Sequence, residues 1–365
     1  MSSEHGASPS LESIRRRIDE LDAQLLALIS ERARCAQAVA RVKQADDPEA
    51  AFYRPEREAQ ILRRILERNP GPLPDEEVAR LFREIMSACL ALERPLQIAF
   101  LGPPGTFTEQ AALKHFGHSV RTVPLGSIDE VFREVEAGTA QYGVVPVENS
   151  TEGVVTHTLD MFLSSPLKIS GEVELRIHHH LLTREAVLQD VRRVYSHQQS
   201  FAQCREWLDS NLPQAERVSV ASNAEAARRA AAESGTAAIA GEAAAEKYGL
   251  PVLRRNIEDH PNNTTRFLIV GRPVVAPSGD DKTSILVSAP NRPGSLYRLL
   301  EPLARHGVSM TRIESRPSQC VNWEYVFFLD VEGHQEDPEV RAALQALREE
   351  AQLVKVLGSY PKAVL

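Results

Sequence analysis

The stretch Asn262-Asn263-Thr264-Thr265-Arg266-Phe267 decides how the centre of this 365-residue chain is interpreted. An apolar run, residues 267–270, ends at Gly271, so the pattern predicts a polar loop that leads into a buried strand. Hydroxyls and a guanidinium at the mouth of a strand suit an anionic, oxygen-rich small ligand. The alternative is a loop whose polar groups only satisfy nearby carbonyls. Two more polar loops, Glu148-Asn149-Ser150 and Ser196-His197-Gln198-Gln199, favour the ligand site.

Length and composition limit the class of protein. The chain is long enough for two or three domains, and its net charge of −8 argues against a nucleic-acid partner. An anionic ligand would therefore have to be held by local arginine and lysine side chains. The four cysteines show neither metal-ligand nor disulfide spacing, and the first ten residues are polar. No run is apolar enough to span a bilayer, so we expect a cytoplasmic protein without membrane segments.

Near the N-terminus, apolar residues recur at helical spacing: Leu11, Ile14, Ile18, Leu21, Leu25, Leu28 and Ile29. The pattern predicts one helix over residues 11–43, about 50 Å long, which must pack along another long helix. Further helices are predicted over 55–68 and 75–93, bounded by prolines. Arg32 and Lys43 lie roughly 20° apart on one face and about 16 Å apart along the axis, where they could grip a small dianion. The alternative is a set of solvated surface charges.

Residues 11–95 resemble the all-helical chorismate mutase domain. The residues that match the family pattern are Arg15, Arg32, Lys43, Arg57 and Glu58. The chain departs from a common form at Cys89, where serine is frequent, and at Glu93, where glutamine is frequent. The resemblance implies a pericyclic rearrangement of chorismate to prephenate, without metal, cofactor or nucleophile, with all seven of these residues binding the substrate. Lys43 and Glu93 would donate hydrogen bonds to the ether oxygen, and Glu93 can do so only when it is protonated.

Strands and helices alternate over residues 96–273. A buried strand is predicted at Gln97-Ile98-Ala99-Phe100-Leu101, and a Gly/Pro turn then leads to a helix that starts near Thr106, an arrangement that suits anions. Further strands are predicted at 142–147, 167–182, 193–196, 237–241 and 267–271. Such alternation favours mostly parallel sheets with ligands at the carboxyl ends of the strands. The chain is predicted to leave a first lobe near Arg176 and to return near Ile257, which creates a cleft between two lobes.

Four motifs in this region resemble those of prephenate dehydratases. They are Gly102-Pro103-Pro104-Gly105-Thr106-Phe107-Thr108, residues 146–153, Ser196-His197-Gln198-Gln199 with Gln203-Cys204, and Thr264-Thr265-Arg266-Phe267. Gln198 stands where proline is usual. The resemblance implies a two-lobed fold like that of periplasmic binding proteins, and a reaction in which prephenate loses carbon dioxide and its ring hydroxyl. It also implies that prephenate is bound by Thr106, Glu148, Asn149, Ser150, Ser196, Gln203, Thr265, Arg266 and Phe267.

The dehydratase reaction requires groups that anchor the substrate and a group that assists the departing hydroxyl. Arg266 and the helix start at Thr106 are candidate anchors for the substrate carboxylates. The resemblance places Thr265 near the leaving hydroxyl, where it would polarise the C–O bond by a hydrogen bond. Glu148 would be the better acid if its pKa were raised, and the sequence does not choose between Thr265 and Glu148.

The run His178-His179-His180 suggests a metal site at first sight. On a strand only His178 and His180 would share a face, and no third ligand is evident. We therefore expect packed or hydrogen-bonded histidines and no metal.

Residues 273–281 are rich in Pro, Gly, Ser and Asp and are predicted to be a linker. The segment that follows has predicted strands at 284–289, 308–313, 325–331 and 353–357, with helices ending near 306 and spanning 338–349. This β-α-β-β-α-β order is that of the ferredoxin-like fold. Residues 282–365 resemble the ACT regulatory domain through Glu314-Ser315-Arg316-Pro317 and, at its Gly and Leu, through Gly294-Ser295-Leu296-Tyr297. The alternative is a structural dimerisation domain.

The ACT resemblance implies phenylalanine as an effector, bound by Asn291, Gly294, Ser295, Leu296, Glu314, Ser315, Arg316 and Pro317. Together the three resemblances follow the order of the bifunctional chorismate mutase/prephenate dehydratase family, with domains over residues 1–95, 96–273 and 282–365. They imply a cytoplasmic enzyme of phenylalanine biosynthesis that needs no cofactor and forms a homodimer with shared mutase sites. The rivals are a solute-binding protein with a similar cleft, and a dehydratase whose helical segment only dimerises.

Overall fold

The computed structural model describes residues 10–46, 52–289, 292–317 and 325–364. The N-terminal part is helical, with α1 at Leu11–Asp46, α2 at Pro55–Glu67 and α3 at Asp75–Glu93. As predicted, α1 is a single long helix, because its sequence contains no glycine or proline to interrupt it. No helix in the described ranges combines the length and the apolar character that crossing a membrane requires.

One face of α1 remains bare although the helix packs against α3. Seven apolar side chains along this face are each at least 40% exposed: Leu11, Ile14, Ile18, Leu21, Leu25, Leu28 and Ile29. An apolar stripe of this length is typical of a helix that packs against another helix. The described part of the chain supplies no helix that covers it.

The first lobe of the central region is built on a six-stranded sheet. Its first five strands are β1 Gln97–Leu101, β2 Arg121–Leu125, β3 Tyr142–Asn149, β4 Gly153–Val154 and β5 Lys168–Arg176. Its helices are α4 Phe107–Phe116, α5 Ile128–Ala137 and α6 Thr156–Ser164. Strands β1, β2 and β3 are parallel, but β4 is antiparallel to β3, and the strand at Thr264–Gly271 is antiparallel to both β3 and β5. This sheet is therefore mixed, and the prediction of mostly parallel sheets is corrected.

The chain then crosses to a second lobe. Its strands are β6 His180–Thr183, β7 Arg193–Ser196, β8 Glu216–Ser219, β9 Thr236–Ala240 and β10 Val252–Arg254, in the order β10-β6-β9-β7-β8. Its helices are α7 Gln198–Gln203, α8 Arg205–Asn211, α9 Asn223–Ala232 and α10 Glu242–Tyr248. The apolar run 167–182, predicted as one strand, is divided between the lobes, because β5 ends at Arg176 and β6 begins at His180.

Strand β11, Thr264–Gly271, returns to the first lobe and lies between β3 and β5. The structure corrects our prediction that Thr264, Thr265 and Arg266 belong to a loop. Thr264 pairs with β5, and Thr265 and Arg266 pair with both β3 and β5, so all three residues belong to the sheet. The strand therefore begins three residues earlier than its apolar run, and its polar residues follow the alternation of a sheet.

The C-terminal region is a ferredoxin-like sheet with two helices. Its elements are β12 Asp281–Ala289, α11 Ser295–Arg305, β13 Met310–Pro317, β14 Tyr325–Glu332, α12 Pro338–Glu350 and β15 Leu353–Pro361. The antiparallel sheet has the order β13-β14-β12-β15. One face packs on α11 and α12. Asp281, predicted to end the linker, is instead the buried first residue of β12.

The other face of this sheet shares one apolar core with the first lobe. Side chains from both regions contribute to the cluster: Val145, Val147, Phe162, Ile169 and Leu268 from the lobe, and Leu286, Val326, Phe328, Leu357 and Tyr360 from the sheet. Gly358 lies so close to β5 that an added Cβ would be 2.2 Å from the carbonyl oxygen of Ile169. The C-terminal region is therefore docked by a continuous core, although the sequence predicted a separate domain on a linker.

Candidate active site

A cavity of about 280 Å³ lies between the two lobes. Four of the residues proposed from the sequence line it: Thr106, Asn149, Gln203 and Thr265. The starts of α4 from the first lobe and of α9 from the second lobe also face the cavity. Helix N-termini present backbone N–H groups and a partial positive charge, so the two lobes can hold an anion between them.

The direction of the Thr265 hydroxyl follows from the hydrogen bonds of Asn149. The Oδ1 atom of Asn149 accepts from the backbone N–H groups of Thr151 and Glu152, both at 3.0 Å. Its amide nitrogen must therefore be the donor, and it donates to Oγ1 of Thr265 at 2.8 Å. In the described part of the chain, the hydroxyl proton of Thr265 has no acceptor. It is available to donate into the cavity.

A chain of amides behind these two residues fixes their positions. Asn149 Nδ2 also donates to Oδ1 of Asn263 at 2.7 Å, and Asn263 Nδ2 donates to Oε1 of Gln203 at 3.1 Å. The Nε2 atom of His179 lies 2.8 Å from the same Gln203 oxygen. Burial lowers the pKa of His179, which keeps the ring neutral. Sequence reasoning treated Asn263 only as a turn former, although its position beside the two threonines was a signal of this role.

The prediction that Ser196 contacts the substrate is corrected, because its side chain supports other residues of the site. It is fully buried, and its Oγ donates to Oδ1 of Asn223 at 3.1 Å. The same Asn223 oxygen accepts from the backbone N–H of His197 at 3.0 Å. Asn223 lines the cavity at the start of α9 and was missed, because one asparagine in an Ala-rich stretch gives no signal in the sequence.

The predictions that Arg266 and Glu148 bind the substrate are also corrected, because both side chains point away from the cavity. Neighbouring residues of a strand face opposite sides of its sheet, so Thr265 and Asn149 face the cleft while Arg266 and Glu148 face the C-terminal sheet. Arg266 pairs with Asp330 at 2.6 Å, and Glu148 pairs with Arg312 at 2.9 Å. Arg266 cannot anchor prephenate in this arrangement, and Glu148 is not placed to act as the acid.

Two further predicted contacts lie outside the cavity. Phe267 is in the core of the first lobe and is 2% exposed. The Oγ of Ser150 donates to the carbonyl of Asn262 at 3.2 Å and accepts from the backbone N–H of Thr264 at 2.9 Å, so it ties the loop after β3 to β11. Both are corrected from substrate contacts to structural residues.

The cavity lining also changes how anion binding is explained. The residues around it include threonines, amides and histidines but neither lysine nor arginine among the described positions. The expectation that local basic side chains hold the anion is therefore wrong for the cleft. Helix N-termini and neutral dipoles are the groups that can do so here.

The three consecutive histidines have separate hydrogen-bonding partners. The Nδ1 atom of His178 lies 2.7 Å from Oε1 of Glu258, and Nδ1 of His180 accepts from the backbone N–H of Asn256 at 3.1 Å. The rings of His178 and His180 are stacked with centroids 6.4 Å apart. These contacts agree with the prediction of hydrogen-bonded histidines.

A second polar site lies between the N-terminal helices. Burial raises the pKa of Glu93 on α3, while Lys43 and Arg32 of α1 lower it, which places these cations near its carboxyl. Burial also raises the pKa of Glu58 on α2 to about 7, against the effects of Arg83 and Arg32. Four of the predicted chorismate ligands, on three different helices, are thus close enough to influence one another's charge.

The remaining predicted ligands of this site have different surroundings. Cys89 is buried on α3. Arg57 is exposed on α2, and Arg15 is exposed near the start of α1. One arginine was missed by sequence reasoning: the Nε of Arg83 lies 3.4 Å from Glu58, and its Nη1 donates to the carbonyl of Lys114 in α4 at 2.9 Å. Arg83 therefore connects the helical site to the first lobe.

The proposed effector residues are divided between two faces of the C-terminal sheet. Arg316 makes a bidentate pair with Asp160 of α6, with both N–O distances at 2.9 Å. Glu314 lies on the same face of β13 as Arg316, because alternate residues of a strand share a face. The prediction that Glu314 and Arg316 bind the effector is therefore corrected, since both face the first lobe. Ser315 and Pro317 are exposed on the opposite face.

The other effector residues lie near the start of α11. Gly294, with φ of +79°, precedes a helix start that has no side-chain cap, where Ser295 and Leu296 are the first two residues. Asn291 lies outside the described residues.

The chain thus combines a polar cavity between two α/β lobes, a group of charged side chains on three N-terminal helices and a ferredoxin-like sheet, which is the organisation of a multidomain protein. Family models match three parts of the chain: chorismate mutase type II at residues 14–94, prephenate dehydratase at 98–274 and the ACT domain at 283–349. The chain belongs to the bifunctional chorismate mutase/prephenate dehydratase family. Its helical part is a chorismate mutase domain, its two-lobed part a prephenate dehydratase domain and its C-terminal part an ACT domain.

Similar proteins support this assignment over almost the whole chain. A bifunctional chorismate mutase/prephenate dehydratase of Stutzerimonas stutzeri is 61% identical over 97% of this chain and 98% of that protein. One of Pseudomonas aeruginosa is 59% identical with the same coverage. The crystal structure of a prephenate dehydratase of Arthrobacter aurescens, in complex with L-Phe, is 36% identical, with a TM-score of 0.68 over 73% of this chain and 90% of that one.

Proposed function

We propose that the helical domain rearranges chorismate to prephenate and that the two-lobed domain converts prephenate to phenylpyruvate. The division at residues 1–95, 96–273 and 282–365 is retained as part of this proposal. The observation that carries the dehydratase assignment is the hydrogen bond from Asn149 Nδ2 to Thr265 Oγ1, because it leaves the Thr265 hydroxyl free to donate into the cleft. Family membership supports both reactions.

In the dehydratase reaction two bonds of prephenate break. The bond between the ring and its carboxylate supplies electrons to the ring, carbon dioxide leaves, and the ring hydroxyl departs to give an aromatic product. A threonine hydroxyl is too weak an acid for full proton transfer, so we assign Thr265 a hydrogen bond that stabilises charge on the departing oxygen. Thr106 and Asn223, at the starts of α4 and α9, are positioned to hold the substrate carboxylates by backbone N–H groups.

In the mutase reaction the protein orients chorismate and stabilises charge on the ether oxygen. Lys43 and protonated Glu93 are the proposed donors, and Arg32, Arg57, Glu58 and Cys89 complete one chain's share of the site. The bare apolar stripe on α1 supports a homodimer in which the two long helices pack together. Arg15 of the partner chain would then complete the site.

Glu93 is expected to make mutase activity dependent on pH. Burial raises its pKa, so its protonated, donating form persists to higher pH and is lost as pH rises through that pKa. Mutase kcat should therefore fall on the alkaline side. Glu93→Gln should flatten this fall, because an amide donates at every pH.

The measurement is mutase kcat against pH for wild type and Glu93→Gln. Glu58 is present in both proteins, so the difference between the profiles isolates Glu93. An identical alkaline fall in the two profiles would contradict the proposed role.

Phenylalanine is the proposed effector of the ACT domain. The ACT match and the L-Phe complex of the Arthrobacter protein support this assignment. Gly294, Ser295, Leu296, Ser315 and Pro317 remain candidate contacts. We also propose that the protein works in the cytoplasm, since the cysteines at 35, 89 and 204 are free thiols, as a reducing compartment would maintain.

Purified protein supplied with chorismate tests the proposal as a whole. Chorismate should disappear, prephenate should appear transiently, and phenylpyruvate should accumulate. Added phenylalanine should inhibit phenylpyruvate formation, whereas tyrosine at the same concentration serves as the control. Loss of chorismate without phenylpyruvate would remove the dehydratase assignment, and equal inhibition by the two amino acids would remove phenylalanine as a selective effector.

A further inference from the structure

The reverse face of the dehydratase site is covered by the ACT domain. Strands β3 and β11 are adjacent and present Asn149 and Thr265 to the cleft. Glu148 precedes Asn149 on β3, and Arg266 follows Thr265 on β11. Both of these side chains point to the opposite face of the sheet, where each makes an ion pair with the ACT domain.

The first ion pair belongs to a buried network. Arg266 donates to Asp330 of β14 at 2.6 Å, to Glu172 of β5 at 2.8 Å and to the hydroxyl of Tyr360 at 3.1 Å. Lys282 of β12 joins the network through Glu172 at 2.8 Å. Burial raises the pKa of Asp330, but Arg266 holds it below its ordinary value, so the carboxylate stays charged.

The second ion pair, between Arg312 and Glu148, connects β3 to the ACT domain. The Nε of Arg312 on β13 lies 2.9 Å from the Glu148 carboxylate, and the Arg312 side chain is 13% exposed. This contact lies one residue from Asn149, whose amide directs the Thr265 hydroxyl. Asp330 and Arg312 are largely removed from water and are costly to leave unpaired, so each of them restricts the strand that carries its partner.

We propose that Asp330 and Arg312 of the ACT domain are positioning residues for the dehydratase reaction, because they hold from behind the two strands that carry Thr265 and Asn149. The inference rests on the proposed role of Thr265. A hydrogen bond to a leaving group depends on placement within a fraction of an ångström, so a small shift of β3 or β11 lowers turnover. Substrate binding at the helix starts of the cleft is less affected.

The test uses full-length Asp330→Asn and Arg312→Gln, with Asp160→Asn as the matched control. Asp160 pairs with Arg316 across the same interface but lies on helix α6 and not on the strands that carry Asn149 and Thr265. We expect Asp330→Asn and Arg312→Gln to lower dehydratase kcat about tenfold with KM nearly unchanged, while Asp160→Asn stays within about twofold of wild type. Mutase activity of each sample reports whether the protein is intact. Arg312→Lys, which keeps a cation beside Glu148, should restore most of kcat.

A double variant separates positioning from general destabilisation. If Arg312 acts through Thr265, Arg312→Gln should lower kcat by less than about twofold in a Thr265→Ala background. Losses that multiply would overturn the proposal, as would wild-type kcat in both ACT variants or an equal loss in Asp160→Asn. Should Asp330→Asn fail to fold, Arg312→Gln decides, because its partner Glu148 is 39% exposed and tolerates being unpaired.

The outcomes also distinguish this inference from the proposed function. Unchanged dehydratase activity in Thr265→Ala would remove Thr265 from the mechanism. Reduced activity in Thr265→Ala combined with normal activity in the ACT variants would leave the proposed function intact and reject only the positioning role.

Discussion

Mixed dimers of Arg15→Ala and Arg32→Ala chains are expected to regain chorismate mutase activity that neither homodimer has. Both arginines lie on the unbroken helix α1. At about 1.5 Å and 100° per residue, their Cα atoms are roughly 25 Å apart and their side chains point about 100° apart. Chorismate is much smaller than this gap, so one chain cannot place both arginines on one substrate molecule.

A two-fold dimer with antiparallel α1 helices brings Arg15 of one chain beside Arg32 of the other. Each homodimer then lacks one cation in both sites, and losing a cation that pairs with a substrate carboxylate should lower activity at least about a hundredfold. In the mixed dimer one site carries both substitutions and the other carries neither. The expected activity is about half that of wild type.

The experiment co-expresses the two chains with different affinity tags, isolates the heterodimer by sequential purification and measures chorismate loss. Arg16→Ala and Arg34→Ala provide matched controls, since they replace other arginines of the same helix and should leave each homodimer active. No recovery in a verified heterodimer would show that each chain builds its own mutase site.

Replacing Thr265 with alanine should lower dehydratase kcat at least about tenfold, because it removes a hydrogen bond to the departing hydroxyl. Thr265→Ser keeps the hydroxyl and should retain most of the turnover. The neighbouring Thr264→Ala is the matched control, because Thr264 is on the same strand but is not among the residues that line the cavity.

The assay follows phenylpyruvate formed from prephenate, and mutase activity of the same samples shows that the chain is folded. The loss should appear in kcat rather than in KM, since the hydrogen bond strengthens as charge develops on the oxygen. Equal turnover in Thr265→Ala and wild type would exclude this residue from the chemistry.

Most of the fold, and four of the residues that line the cleft, could be predicted from the sequence. The uninterrupted apolar spacing of residues 11–43 predicted α1 correctly, because helix periodicity is a local property of the chain. Strand–helix alternation predicted the two lobes and the crossing near Arg176. The motifs around Thr106, Asn149, Gln203 and Thr265 identified residues that the fold brings to one cavity.

The side of the sheet that each motif residue faces was decided by the tertiary structure. Thr265 and Arg266 are adjacent in one motif, yet only Thr265 reaches the cleft, because β11 begins at Thr264 and its pairing with β3 and β5 sets the alternation. Arg266 and Glu148 are charged and adjacent to cleft residues, so the sequence favoured them as ligands. Their partners Asp330 and Arg312 lie at least 64 residues away in the chain, and only the docking of the ACT domain reveals them.

The sequence by itself determined the three domains, their order and the chemistry expected of each, because periodicity, turns and motifs are local. The tertiary structure decided which polar residues serve the reaction and which join the domains. A carboxylate or guanidinium looks the same in the sequence whether it faces a substrate or an ion-pair partner. The difference is set by strand register and by a core shared between the dehydratase lobe and the ACT sheet, and both depend on contacts between distant residues.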